Sequence, residues 1–154
     1  MTRRAVLNSV AGAVLAATVS ACGLLEFPDE VDASDIVGGW TSKPKKGHAT
    51  VLKLSADGMF EWSGVPEGTF SDWPSSEKLD WERLETYSGE WSIEKDITSK
   101  KFTDVRLRAD KSQHVSIFPL SVSKRGSERS LTYWLGDPDS ADSFKFHLTS
   151  RTFG

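Results

Sequence analysis

Cysteine is nearly missing from this 154-residue chain, which has only Cys22. A lone cysteine cannot close a disulfide within one chain, so a fold held together by disulfides is excluded. The Cys-x-x-Cys pair of redox and zinc sites is excluded for the same reason. The chain therefore has to fold through packing and hydrogen bonds alone.

The chain also lacks an excess of positive charge. Its 19 basic and 22 acidic side chains leave a net charge of -3, and removal of residues 1–21 would take away Arg3 and Arg4 but no acid, giving -5. A mildly acidic chain has no electrostatic reason to bind nucleic acid. We therefore predict no nucleic-acid partner.

Motifs that identify a catalytic mechanism are missing as well. There is no Gly-x-Ser-x-Gly elbow, phosphate-binding glycine loop or His-Glu-x-x-His helix. His48, His114 and His147 are far apart in sequence and are typical of surface histidines. Asp137, Asp139 and Asp142 offer oxygen ligands for calcium, but the glycine and glutamate of a calcium loop are missing, and an Asp-Pro turn explains them. We predict a non-enzyme with no cofactor and no metal site.

The start of the chain is typical of an export signal. Basic residues within 1–4 precede a small, apolar stretch over 5–18, which is short for a membrane span. Val19-Ser20-Ala21-Cys22 resembles the bacterial lipobox, in which a cysteine receives diacylglycerol before cleavage. The resemblance implies a signal peptide over 1–21 and a lipoprotein held at the cell membrane, outside the cytoplasm, by a lipid such as palmitate on Cys22. An incidental thiol is the alternative, and Arg3-Arg4 leaves Sec and twin-arginine export both open.

Residues 22–34 and 35–154 differ in pattern. The first segment is acidic and rich in turn formers, with no sustained apolar period, which predicts a lipid-anchored tether. The second contains short alternating runs between glycine, proline and polar clusters, which predicts an all-β domain. Alternation assigns an inward face that carries no titratable group, and this argues against an active site inside the domain. The assigned residues are Leu52, Leu54, Phe60, Trp62, Ile93, Val105, Leu107, Phe144 and Phe146.

We expect about eight antiparallel strands. Asp57-Gly58 predicts a hairpin turn, and Pro119 marks an edge or a bulge because proline lacks the ladder donor. The exception is the stretch around 71–85, where the apolar spacing is mixed and Pro74 opens a segment able to start a helix. There we predict an insertion with a short helical turn that covers one end of the sheet.

Gly38-Gly39-Trp40 resembles the Gly-x-Trp opening of lipocalin-like barrels, where the tryptophan closes the bottom of the barrel, and Gly89-Glu90-Trp91 repeats the pattern. The resemblance implies a meander barrel; a β-sandwich is the alternative. The chain is also similar to the small, tryptophan-rich lipoproteins of unknown function from actinobacteria, which share the Asp57-Gly58 hairpin and the Gly136-Asp137-Pro138-Asp139 turn. That likeness implies no established activity.

Aromatic residues in the insertion suggest a binding role. Most aromatics are read as core, but Phe70, Trp73 and Trp81 fall in the irregular segment, where exposed rings indicate a binding surface or a lid. We therefore predict a non-catalytic binding protein with a small apolar ligand at the barrel mouth. The alternative is an interaction module that presents Arg106, Arg108 and Lys145 to an envelope protein or to cell-wall polymer.

Overall fold

A computed structural model describes residues 26–28, 30–95, 103–109, 117–140 and 142–151. Residues 1–21, predicted to be an export signal, lie outside the described residues, as do Cys22 and His114. Within them, no helix is long and apolar enough to cross a membrane.

Eight antiparallel strands close into a barrel in the part of the chain that the structure describes, and each strand pairs with its neighbours in sequence. The strands are β1 Gly38–Ser42, β2 Val51–Leu54, β3 Met59–Glu67, β4 Asp80–Lys95, β5 Thr103–Ala109, β6 Phe118–Arg125, β7 Glu128–Trp134 and β8 Ser143–Ser150. A helix of one turn, α1 Ala33–Ile36, precedes β1, and a short 3-10 helix Pro138–Ser140 precedes β8. The predicted all-β meander barrel is confirmed, and the sandwich alternative is not.

The barrel has two ends that we call lower and upper. The lower end carries α1, the β2–β3 hairpin and the β6–β7 hairpin, whereas the upper end carries the β3–β4 and β7–β8 connections. Strand β7 runs from one end to the other and spans about 20 Å along its length. A residue is therefore assigned to an end by the connection beside it.

The Gly-x-Trp motif lies at the lower end of the barrel, where β1 begins. Trp40 is fully buried, and its indole Nε1 donates a 2.8 Å hydrogen bond to the Ile36 carbonyl, which ties α1 to the barrel. Gly38 has a φ of 145°, and a Cβ there would lie 2.5 Å from the Ser150 carbonyl oxygen of β8. Only glycine permits this close crossing of β1 and β8.

The segment around 71–85 contains the predicted short turn and then joins the sheet. Ser75 to Lys78 form one turn, closed by a 3.0 Å hydrogen bond from the Lys78 amide to the Ser75 carbonyl, and strand β4 already begins at Asp80. The Asp142 carboxylate accepts hydrogen bonds from the amide and hydroxyl of Ser76, which holds this turn against the β7–β8 connection. Buried Leu79 and Trp81 have the spacing of a strand, and β4 pairs with β3 along this stretch.

The first described residues are attached to the barrel wall. Glu26 and Lys124 of β6 exchange backbone hydrogen bonds of 2.8 and 2.7 Å, and Val31 packs against the core. The Arg129 guanidinium contacts the Asp35 carboxylate at 2.9 Å. The chain is thus fixed to the lower end of the barrel from Glu26 onward.

Candidate functional site

Aromatic side chains fill the interior of the barrel. Trp62 lies at the centre, fully buried, and meets surrounding rings edge to face at centroid distances of 5.3 to 6.2 Å. These rings are Phe70, Phe118, Tyr133, Phe144 and Phe146. Edge-to-face packing suits the ring quadrupole, so this cluster is a stable core rather than the lining of an empty calyx.

A groove of about 420 Å³ opens at the upper end, and we call it the mouth groove. Its lining includes Phe70, Pro74, Ile117, Tyr133, Trp134 and Pro138. Phe70 forms the floor, because its ring stacks on Phe118 at 3.9 Å and meets Tyr87 edge to face at 4.7 Å. One aromatic residue thus closes the interior below and offers an apolar surface above.

The structure separates the three aromatic residues predicted to bind a ligand. Phe70 lines the mouth groove, and Trp73, which precedes the lining residue Pro74, is 77% exposed. Trp81 is only 5% exposed and packs against Phe144 and His48 on another part of the barrel. Trp81 is therefore a core residue, although it also borders a shallow surface groove of about 480 Å³ beside Lys45.

Several residues of the mouth groove were missed in the sequence. Ile117 is 51% exposed, and Trp134 lies between the inward residues Tyr133 and Leu135 of its alternating run. Both are large apolar residues at positions that alternation assigns to the outside of a barrel. That mismatch between residue type and face was the signal that could have found them.

Burial affects both tyrosines near this groove. It raises the pKa of Tyr133 to about 12, so the hydroxyl of this groove residue stays protonated at neutral pH. The pKa of Tyr87 is raised by burial and, to a lesser extent, by its hydrogen bond to the Glu85 carboxylate. Tyr133 therefore presents a neutral hydroxyl to the groove, and this hydroxyl can donate a hydrogen bond.

The aspartates of the β7–β8 connection bind the chain itself. The Asp137 carboxylate accepts a 2.9 Å hydrogen bond from the Asp139 amide, and Asp142 accepts bonds of 3.1 and 2.8 Å from Ser76. These bonds lower the pKa of Asp142. No group of three or more histidine, cysteine, aspartate or glutamate side chains within the described ranges could hold a metal ion. The Asp142 carboxylate thus joins the β7–β8 connection to the β3–β4 connection, and the Asp137 carboxylate stabilises the turn within the β7–β8 connection.

The basic residues predicted to meet a partner lie on different walls. Arg106 belongs to β5 and forms a 2.8 Å ion pair with Glu94, while Lys145 belongs to β8. Arg108 is exposed and also on β5.

No family model, curated protein or solved structure matches this chain. Any function has to be argued from its own residues.

Proposed function

We propose that this protein is a lipoprotein, held outside the cytoplasm by a lipid on Cys22, which binds an apolar ligand at the mouth of its barrel without catalysing a reaction. One observation carries this proposal: the chain enters the barrel at the lower end, whereas the mouth groove lies at the upper end. Anchorage and binding are then assigned to opposite ends of one rigid body.

The reach of the tether supports this arrangement. Glu26 is hydrogen bonded to Lys124 at the lower end, and only four residue steps separate it from Cys22. A fully extended chain covers at most about 14 Å in four steps. A lipid on Cys22 would therefore keep the lower end close to the bilayer and turn the upper end away from it.

The chemistry of the mouth groove supports an apolar ligand. Ile117 lines the groove and leaves a large apolar surface in water, as does Trp73 next to the lining residue Pro74, and exposed apolar patches are typical of binding sites. The volume of about 420 Å³ falls among the smaller ligand sites of proteins. Because Trp62 and its neighbours fill the interior, the ligand would sit on Phe70 at the mouth instead of being enclosed.

A neutral apolar dye tests this site. We would titrate N-phenyl-1-naphthylamine into the full chain and follow the fluorescence of the dye. The non-ionic detergent is kept below the concentration at which it competes with the dye for the groove. Ile117 is 51% exposed, so a ligand can bury about half of its side chain, which contributes about 1 kcal/mol to binding. Ile117→Ala removes this contribution, and the affinity for the dye should fall about 5-fold. Trp73 is not part of the lining but precedes Pro74, which is, and Trp73→Ala should lower the affinity only where its exposed ring also covers the bound dye.

Leu84→Ala is the matched control, because Leu84 is also an exposed aliphatic residue but does not line the groove. Its affinity should equal that of the unmodified chain. Equal affinity in the control and in Ile117→Ala would refute the site, as would a complete lack of saturable dye binding.

A further inference from the structure

A second groove, of about 370 Å³, lies over β7 and β8, between the last residue of β6 and the β1–β2 connection, and we call it the basic groove. We propose that it binds a poly(polyol phosphate), a phosphodiester polyanion that carries no bases. Its charged lining includes Lys43, Lys45, Arg125, Arg129, Lys145 and the single acid Glu128. This inference depends neither on the lipid at Cys22 nor on the mouth groove.

The charge of the groove is opposite to that of the whole chain. Five basic side chains and one acidic side chain line the groove, although the chain carries a net charge of -3. Arg129 is neutralised by Asp35, and Lys45 lies over the Phe144 ring at 5.9 Å and close to Asp142. Three positive charges, on Lys43, Arg125 and Lys145, are then left in the groove, with Glu128 as its one negative charge. A concave site of one charge concentrates oppositely charged ligands.

Folding does not account for these three cations. On other walls, three basic residues form ion pairs with acids: Lys53–Glu61, Arg83–Glu67 and Arg106–Glu94. Within the residues that the structure describes, no ion pair involves Lys43, Arg125 or Lys145. They are available to an external anion.

Hydroxyl groups lie along the same wall. Ser130 lines the groove, and its hydroxyl is 2.8 Å from that of Ser123 on β6. Arginine and hydroxyl donors together suit phosphate oxygens, because phosphate accepts several hydrogen bonds in different directions. A single carboxylate would be satisfied by one arginine and would leave the lysines unused.

The length of the groove favours a polymer. It extends from Arg125, beside the lower hairpin, to Ser143 and Lys45 at the upper end. The stretch of β8 from Ser143 to His147 alone spans about 13 Å. One phosphate cannot contact all of the cations over that distance, whereas successive phosphodiesters of an extended chain can.

Poly(glycerol phosphate) is the probe for the test, with binding to the full chain in non-ionic detergent measured by calorimetry at two salt concentrations. Arg125→Glu and Lys145→Glu should each weaken binding at least 10-fold, and affinity should fall with salt for the unmodified chain. Arg83→Glu makes the same change of charge on β4 and should alter affinity less than 2-fold. Thermal unfolding of each variant verifies that it folds.

Three results would overturn the proposal. The first is that the polymer shows no saturable binding. The second is that Arg83→Glu loses as much affinity as the groove variants, which would mean that only the net charge of the protein matters. The third is equal or tighter binding of a competing probe. Polyglutamate of matched length tests for any polyanion, and dihexanoylphosphatidylglycerol below its micelle concentration tests for a single headgroup phosphate. Dye binding at the mouth groove should be unchanged in Arg125→Glu, so the two sites fail or succeed separately.

Discussion

Phe70→Ala probes the central structural feature, the aromatic plug between the barrel interior and the mouth groove. The ring of Phe70 contacts Trp62, Tyr87, Phe118 and Tyr133 at centroid distances from 3.9 to 5.6 Å. Truncating a buried phenylalanine costs about 3–5 kcal/mol. Because Phe70 is only partly buried, we expect the lower limit, about 3 kcal/mol.

Urea unfolding, followed by tryptophan fluorescence, measures this loss. With a denaturant dependence of about 1.5 kcal/mol/M, the midpoint should fall by about 2 M. Acrylamide should also quench the folded variant more strongly, because Trp62 loses the ring that covers it. Trp73→Ala is the control and should change stability by less than about 0.5 kcal/mol, since Trp73 is 77% exposed. A midpoint shift in Phe70→Ala below about 0.3 M would refute the plug.

Two further predictions concern titration. Tyr87 and Tyr133 are the only tyrosines, and both have raised pKa values, so absorbance at 295 nm should change little as the pH passes 10 while the protein is folded. A raised pKa means that burial of the neutral tyrosines stabilises the fold fully below the ordinary tyrosine range, and that this stabilisation is lost as the pH rises towards 12. An ordinary titration near pH 10 in the folded state would contradict the burial of both rings. The lowered pKa of Asp142 means that its hydrogen bonds to Ser76 persist at neutral pH and are lost only below the ordinary aspartate range. The NMR shift of the Ser76 amide should report this titration and lose it in Asp142→Asn, and a midpoint at the ordinary aspartate value would contradict the contact.

Most of the fold could be predicted because its strands alternate cleanly. Leu52, Leu54, Phe60 and Trp62 are buried as their positions in the runs indicated, and Asp57-Gly58 forms the hairpin. Each of these signals is local, since it depends on neighbours two residues away or on a single turn. Closure into a barrel was less certain because it depends on the pairing of β1 with β8, more than a hundred residues apart.

The site was harder to predict because its residues come together only in three dimensions. The mouth groove combines the β3–β4 connection, the start of β6 and the end of β7, so no continuous motif describes it. Trp81 looked like a member of the same cluster because it is near Trp73 in sequence, but β4 begins between them and carries it to the core. The basic groove likewise joins Arg125 and Lys145 from different strands.

The lipid anchor is the claim on which the orientation of both grooves depends, and intact mass spectrometry of the protein from its host membranes tests it most directly. We predict a mass equal to residues 22–154 plus a diacylglyceryl group on the N-terminal Cys22, with or without a further acyl chain. A chain that still begins at Met1, or one without lipid mass on Cys22, would contradict the account.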